Sequence, residues 1–517
     1  MRGYSCPTCS EVVKTIEDYL PALYFVFGRK RTEVLAEELG LTRDFLDLEE
    51  KQSANRIIQE ALEANPGIFG ARRQNLHSLL QKGIAYHHAG LAPTLKELIE
   101  ALYEKRLIYV LFCTETFAVG VNFPAASTVF DSCRKWDGWK FRPLINREFF
   151  QMAGRAGRRG YDETGHVFVR IDSRYPEQTG FYNEQDVEPV KSRLVISPNT
   201  VLSLLNWKTD EEINQFLEKN LAVYQNTKKI RQLGDELASL QGREKESQAA
   251  FCEDRNGAGC QLYRLGLRRE LNILRRRKKR AVADPKQRRR ELQAALKTPR
   301  KECNYLSCLE ADKKLGIIEE KKKLIALKKD SLQENFQDYK QEFENVRLLL
   351  DNLGYVKGRK LLPRGLFATN IHVQEILITE LIFSGLIPGA SSVEAAAILA
   401  GVDYQPGRDE FVERCPFSLE HVLQLRRSLL KSGVPERFCV WSQLPAALAV
   451  AWYEGASFED LMKKCSLEEG DIFSLLRREI DLLRQIERAA GENADLREFA
   501  RSLRQAIDRD EIALIGV

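Results

Sequence analysis

The sequence predicts a parallel α/β sheet covered on both faces, followed by a long and mainly helical remainder. Three observations carry this. Apolar runs alternate with helix-like stretches across residues 21–185. Those runs are apolar throughout rather than at every second position. From about residue 186 strand-like runs give way to amphipathic and charged helical patterns. Strands buried on both faces read as continuous apolar segments, and their alternation with helices is the pattern of a parallel sheet.

In order, "ALYFVFG" (22–28) is an apolar strand ended by Gly28, and "RKRTEVLAEELG" (29–40) is the helix after it. "YVLFCT" (109–114), "STVFDS" (127–132) and "GHVFVRI" (165–171) are three further strands. Ligands of such sheets bind in loops at the carboxyl ends of strands. Beyond them "NTVLSLLNW" (199–207) and "EEINQFLEKNLAVYQ" (211–225) are short amphipathic helices. A very polar stretch spans 226–345. Its ends, "IRQLGDELASLQ" (230–241) and the run from Lys314 to Leu350, carry spaced apolar residues and predict two long helices paired as a stalk. "LGYVKGRKLLPRGLFATNI" (353–371) predicts two short strands around a turn, and the rest is helical to about 508.

The net charge is only +5, but residues 261–301 hold 16 Lys/Arg against 3 Asp/Glu, so that segment carries +13 and the remainder −8. A concentrated basic segment on an acidic body suits a polyanionic partner, with a solvated helix face as the plain alternative. Eleven scattered cysteines argue against a disulfide framework. The N-terminus has no apolar signal region, and no apolar run approaches a membrane span, so a soluble, cytoplasmic chain is expected.

Four segments carry chemistry. "QMAGRAGRRG" (151–160) sets three arginines among three glycines, which brings guanidinium groups close to an anion. The chain has no G-x-x-x-x-G-K-[ST] loop and no Asp-Glu-x-His box to hold phosphates and magnesium itself. "YHHAGLAP" (86–93) pairs His87 and His88, which without further ligands rarely bind a metal. "RKWDGWKFR" (134–142) places Asp137-Gly138, a strong hairpin turn, among Trp136, Trp139 and Phe141. In "EGDIFSLLRREIDLLRQIERAA" (469–490), Arg477, Arg484 and Arg488 form one stripe opposite apolar Ile472, Leu475, Leu476, Leu483 and Ile486. In addition Cys252, Cys260, Cys303 and Cys308, two local pairs brought together by an antiparallel stalk, could form a four-thiolate zinc site, although their spacings are looser than a tight knuckle.

"QMAGRAGRRG" resembles the last motif of superfamily-two helicases. "YHHAGLAP", "LFCTETFAVGVNFPA" (111–125) and "SCRKWDGWKFR" (132–142) match the order and spacing of that family's second RecA-like domain. "RKWDG" and "GRAGRRGYDETG" resemble the superkiller and exosome-cofactor branch of RNA helicases, with its bacterial HelY-type relatives. The resemblance implies a linker (1–20), a second RecA-like domain (21–185), a winged helix in two parts (186–225 and 346–371) around a basic, Cys-containing insertion (226–345), and a C-terminal helical domain of DSHCT type (372–517). It implies ATP with magnesium held mainly by a first RecA-like domain, with Arg155 and Arg158 as arginine fingers and Gln151 beside the γ-phosphate. Gly154 and Gly157 would allow close backbone approach, and Gly120 and Asn122 would couple nucleotide to nucleic acid. Thr114 would bond a nucleic-acid phosphate, Trp136 and Trp139 would sit on a wedge at the duplex junction, and Arg477 and Arg484 on a helix that tracks the bound strand. The implied activity is 3′-to-5′ unwinding of RNA, with RNA-decay machinery as partner. The finger arginines without a P-loop leave two readings: a helicase part completed by the first RecA-like domain in cis or trans, or a stand-alone nucleic-acid-binding module without ATPase. A DNA helicase is a third.

Overall fold

The computed structural model describes residues 6–513 apart from 71, 119–124, 159, 161, 173–181, 250, 252–259, 277–284, 298–304 and 335–337. Its parallel sheet consists of Ala22–Phe25 (β1), Ile84–His87 (β2), Val110–Cys113 (β3), Ser127–Phe130 (β4) and, past a hairpin of Arg134–Trp136 (β5) and Phe141–Pro143 (β6), His166–Val169 (β7). The order is β2-β3-β1-β4-β7. Ala22 faces Val110 on one side and Ser127 on the other. Strands β1 to β4 are buried at every position, and edge strand β7 is half exposed.

The four apolar runs are all strands. The strand β2 is an addition to them, because "IAYH" is short and ends in a histidine. Helices Arg29–Gly40 and Pro93–Glu104 bury Leu35, Leu39, Leu95 and Leu102 in the sheet's core. Of the expected linker 1–20, the described part from Cys6 is more than a linker: Thr8 and Glu11 form a capping box for helix Cys9–Thr15, and Val13 and Ile16 join the same core.

The chain divides into two compact units, residues 1–190 with 349–517, and residues 191–348. Of residues 186–225, expected as the first part of a winged helix, 191–225 group with the second unit. There, helices Leu221–Ala249 and Tyr305–Glu334 are bridged by Glu244–Lys322, and the helices flanking them, Asp210–Glu218 and Asp338–Asn352, by Glu218–Lys340, both 2.6 Å, so the two stretches of chain run antiparallel. Leu233, Leu237 and Leu240 meet Ile318 and Ile325 along their seam. The basic segment is itself helical, over Gln261–Arg276 and Pro285–Leu296, with Leu267, Leu271 and Leu292 as a small core. The expected long helix of 314–350 is found as Tyr305–Glu334 and Asp338–Asn352.

In the first unit a hairpin of Val356–Lys357 (β8) and Lys360–Leu361 (β9) precedes helices that continue to Ala513. The longest, Glu469–Ala489, buries Ile472, Leu475, Leu476, Leu483 and Ile486 as its periodicity predicts. It also buries Glu479, only 1% exposed, with no hydrogen-bond partner for either carboxylate oxygen among the described residues. Burial pushes that carboxyl well above the usual range. The folded state therefore binds the Glu479 proton more tightly than the unfolded chain, and stability falls as pH rises above the ordinary carboxylate range. Glu479→Met removes an unsatisfied buried group and should stabilise the chain by about 1–3 kcal/mol at neutral pH. Its advantage should widen between about pH 5 and about pH 8 in thermal melts; an advantage that shrinks over that window contradicts the burial account.

Candidate nucleotide and nucleic-acid interface

Helix Asn146–Ala153 delivers the arginine motif. Its start is fixed by Glu148, which accepts the Ile145 N–H at 3.1 Å, Arg142 Nη1 and Nη2 at 2.9 and 2.7 Å, and Lys135 Nζ at 2.9 Å. Burial alone would raise the Glu148 carboxyl, but these donors hold it at about 2. The helix ends at Gly154. The chain then bends through Gly157, whose φ of +93° favours glycine. The Arg155 carbonyl accepts from Ala125 N at 3.0 Å, and Gly157 N donates to the Ala125 carbonyl at 2.8 Å. A Cβ on Gly165 would lie 2.4 Å from the Ala156 carbonyl oxygen. The close approach made here is thus chain to chain. It clasps the arginine loop ahead of β4 and β7, at the amino edge of the sheet rather than at the carboxyl edge that the general rule favours.

Arg155 is half-buried, and its Nε and Nη2 both donate to the Ala118 carbonyl, Nε at 3.1 Å. Arg158 meets Asp162 side-on, Nε to Oδ2 and Nη2 to Oδ1 both at 2.8 Å, and its backbone N–H donates to Oδ2 at 2.7 Å. These bonds lower the Asp162 carboxyl to about 2. Gln151 is exposed. Gly120 and Asn122 lie outside the described residues, as do Arg159, Cys252 and Cys303. Cys260 and Cys308 are buried, and among the described residues no group of three or more metal-ligating side chains occurs.

Thr114 follows β3, with its N–H on the His87 carbonyl at 3.3 Å and its Oγ1 2.9 Å from Thr116 Oγ1. Its neighbour Glu115 accepts Lys135 Nζ at 2.6 Å, which ties this segment to the base of the β5–β6 hairpin. In that hairpin Trp136 faces Phe141 with ring centroids 5.3 Å apart. The central turn residues are Gly138, at φ +100°, and Trp139, one step along from the Asp137-Gly138 reading. Asp137 instead accepts the Trp139 and Lys140 N–H groups at 3.0 and 2.9 Å. Trp139 is 90% exposed and Trp136 46%.

Both histidines are interior. His88 Nδ1 accepts the Gly90 N–H at 3.2 Å, so the ring proton sits on Nε2 and is donated to Glu33 at 3.1 Å. His87 lies 3.0 Å from Glu100, and burial lowers its pKa. The loop between β2 and helix Pro93–Glu104 also receives the first turn of helix Glu469–Ala489. Gly470 N donates to the Gly90 carbonyl at 2.9 Å. Arg73 binds Glu33 and, at 3.0 Å, Glu469. Arg29 binds Glu468 at 3.0 Å and Asp471 at 2.6 Å. Arg72 donates to the carbonyls of Met462, Cys465 and Leu467 at 2.7, 3.0 and 2.8 Å. Farther along this helix Arg477 and Arg484 approach one carboxylate, Asp508, at 3.9 and 3.7 Å.

Residues 51–160 match the helicase conserved C-terminal domain, and residues 358–514 match the DSHCT (NUC185) domain. Superkiller complex protein 2 of Homo sapiens is 41% identical over 191 residues, 36% of this chain and 15% of that protein. Exosome RNA helicase MTR4 of Homo sapiens is 37% identical over 228 residues, 43% and 21% of the two chains. Antiviral helicase SKI2 of Saccharomyces cerevisiae is 36% identical over 258 residues, 46% and 19%. In these two domains and in its relatives the chain is similar to the C-terminal portion of superfamily-two helicases of the superkiller and exosome-cofactor branch. It spans about a fifth or less of the length of these three relatives.

Within the chain the structure joins the arginine loop to the segment after Thr114 through Arg155 and Ala118. It joins that segment to the hairpin through Glu115 and Lys135, and the β2 loop to the arginine-bearing helix through Gly90 and Gly470. Sequence reading missed Glu33, Arg72, Arg73, Asp162 and Asp508. The acidic run Glu468-Glu469-Gly470-Asp471 at a helix start was a visible signal, but its partners were not assignable from sequence. Gly165→Ala should force the arginine loop off Ala125 and destabilise the chain by about 2 kcal/mol. A melting temperature within a degree of the parent's would show that the loop accommodates the methyl group.

Proposed function

We propose that this chain supplies the second RecA-like half, the duplex-splitting hairpin and the strand-tracking helix of an ATP-dependent RNA helicase that moves 3′ to 5′. The observation that carries this is the Arg155–Ala118 bond. It sets the arginine motif beside the segment of Thr114, so one loop system serves phosphates of two kinds. The donor set fits half of an ATP site: two guanidinium groups, with no P-loop or paired magnesium carboxylates in the sequence. ATP with magnesium would be held by a first RecA-like domain and supply the phosphoryl group whose transfer drives movement. Arg155 and Arg158 stabilise charge there, Arg158 exchanging its Asp162 carboxylate for a phosphate oxygen. Gln151 lies beside the γ-phosphate, and Gly120 and Asn122 couple the two sites.

On the nucleic-acid side Thr114 donates its hydroxyl to a strand phosphate. Trp139 and Trp136 stack against a base parted at the junction, and Arg477 and Arg484 contact phosphates along the tracked strand. Residues 186–225 and 346–371 are read as the two parts of a winged helix, and RNA-decay machinery is the expected partner.

The chain alone should hydrolyse no ATP in steady-state assays with or without RNA, and should gain RNA-stimulated turnover when a first RecA-like domain of this branch is supplied. In that mixture Arg155→Ala or Arg158→Ala should cost on the order of a thousandfold in turnover while RNA binding persists. Turnover by the unmixed chain would overturn the assignment.

The paired basic helices of the insertion have their own small core and concentrate positive charge, so they should supply much of the non-specific affinity. Phosphate contacts release counterions, and log affinity falls linearly with log salt. Deleting residues 261–301 should flatten that line by several units, measured by anisotropy of a labelled single-stranded RNA. An unchanged slope would make the segment a solvated helix face.

A further inference from the structure

The helix that carries Arg477 and Arg484 does not simply lie near the sheet. Its first turn is bonded to the loop that follows β2. Gly470 N donates to the Gly90 carbonyl at 2.9 Å. Gly470 has no room for a side chain, since a Cβ there would sit 2.1 Å from the Ala89 carbonyl oxygen, and a Cβ on Gly90 would displace the Glu468 carboxylate, whose Oε2 lies 1.4 Å from its place. Arginines 29, 72 and 73 then grip the acidic turn and the chain just before it. Beside these bonds lies a cavity of about 900 Å³, lined from the sheet side by Phe69, His77 and Leu95 and from the helical side by Phe458, Met462 and Phe473. On that flank the seam is open rather than packed, so the polar grip and the Gly90–Gly470 contact fix the helix there.

We propose that Arg29, Arg72, Arg73 and Gly470 are positioning residues for RNA binding. They weld the start of helix Glu469–Ala489 to the β2 loop, so that Arg477 and Arg484 are presented at a fixed place relative to Thr114, whose N–H is bonded to the adjoining His87 carbonyl. The RecA-like sheet and this helix then move as one body, and any displacement of the sheet during an ATP cycle is passed to the tracked strand without slack. This rests on the reading that Arg477 and Arg484 touch RNA.

The test uses the full chain and anisotropy of a fluorescein-labelled oligouridine at fixed salt. Arg29 is 40% exposed in its side chain and its carboxylate partners are 28% and 37% exposed, so Arg29→Ala leaves groups that water can reach. Arg29→Ala and Gly470→Ala should each weaken binding about fivefold, and Arg29→Lys should restore most of it. Arg484→Ala should weaken the parent about fivefold but an Arg29→Ala chain less than about twofold, because contacts that depend on one another are not additive. Independent, additive losses, or no loss in Arg29→Ala, would overturn the positioning role while leaving the RNA reading in place. If Arg477→Ala and Arg484→Ala both leave affinity unchanged, the RNA reading itself fails. Should Gly470→Ala fail to fold, the Arg29 series decides the matter alone.

Discussion

A single guanidinium, that of Arg73, binds two carboxylates from distant parts of the first unit's chain: Glu33 on the helix after β1, and Glu469 at the start of the longest C-terminal helix. Arg73 is 6% exposed. Burial would raise the Glu33 carboxyl, yet His88 and Arg73 hold it at about 2. Such a cluster is no cheap source of stability. Desolvation offsets much of its attraction, but losing one partner leaves a buried charge unpaired and costs about 3–5 kcal/mol. Its main effect is on specificity. His88 must present Nε2–H to Glu33, which fixes the tautomer and turns the loop so that the Gly90 carbonyl faces Gly470. The "HHAGL" loop therefore has a core role in joining the sheet to the helices.

The arginine loop obeys a second constraint, written in backbone rather than charge. Ala125 bonds both Arg155 and Gly157, and Gly165 leaves the space in which Ala156 sits. Glycines chosen for approach to a ligand would look the same in sequence. Here Gly157 and Gly165 fit the loop against the chain that leads into the strands.

Legibility followed sequence distance. Strands β1, β3, β4 and β7 were plain because each is an unbroken apolar run, and the paired stalk helices because their seam residues recur at helical spacing. The motif blocks were legible because each is contiguous. Strand β2 hid because four residues ending in histidine carry too little apolar signal. The hairpin turn was placed one residue early because Asp137 uses its carboxylate to take two turn N–H groups, a role indistinguishable in sequence from occupying the turn itself. The basic segment gave its charge but not its helices, since Leu267, Leu271 and Leu292 are sparse among arginines. The clamp was invisible: Arg73 and Glu469 are 396 residues apart, and nothing local to either names the other.

Exposure then separates the arginines that build the fold from those that can be handed to a ligand. Arg73 is paired with a buried carboxylate, Glu33, and a part-buried one, Glu469, on two elements, and removing it leaves a buried charge unpaired. Arg477 and Arg484 share one carboxylate at 3.9 and 3.7 Å, loose contacts at part-exposed positions of the kind that contribute little to stability. A phosphate can replace Asp508 there at small cost, with a stronger acceptor for each guanidinium. Arg158 stands between these cases. Its pair with Asp162 is tight and side-on, yet both groups belong to one short loop at 22% and 15% exposure, so the exchange rearranges a turn and not a domain. Similar-looking arginines in one chain thus divide by the cost of changing partner, and that cost is set by burial and by how many elements the partner belongs to.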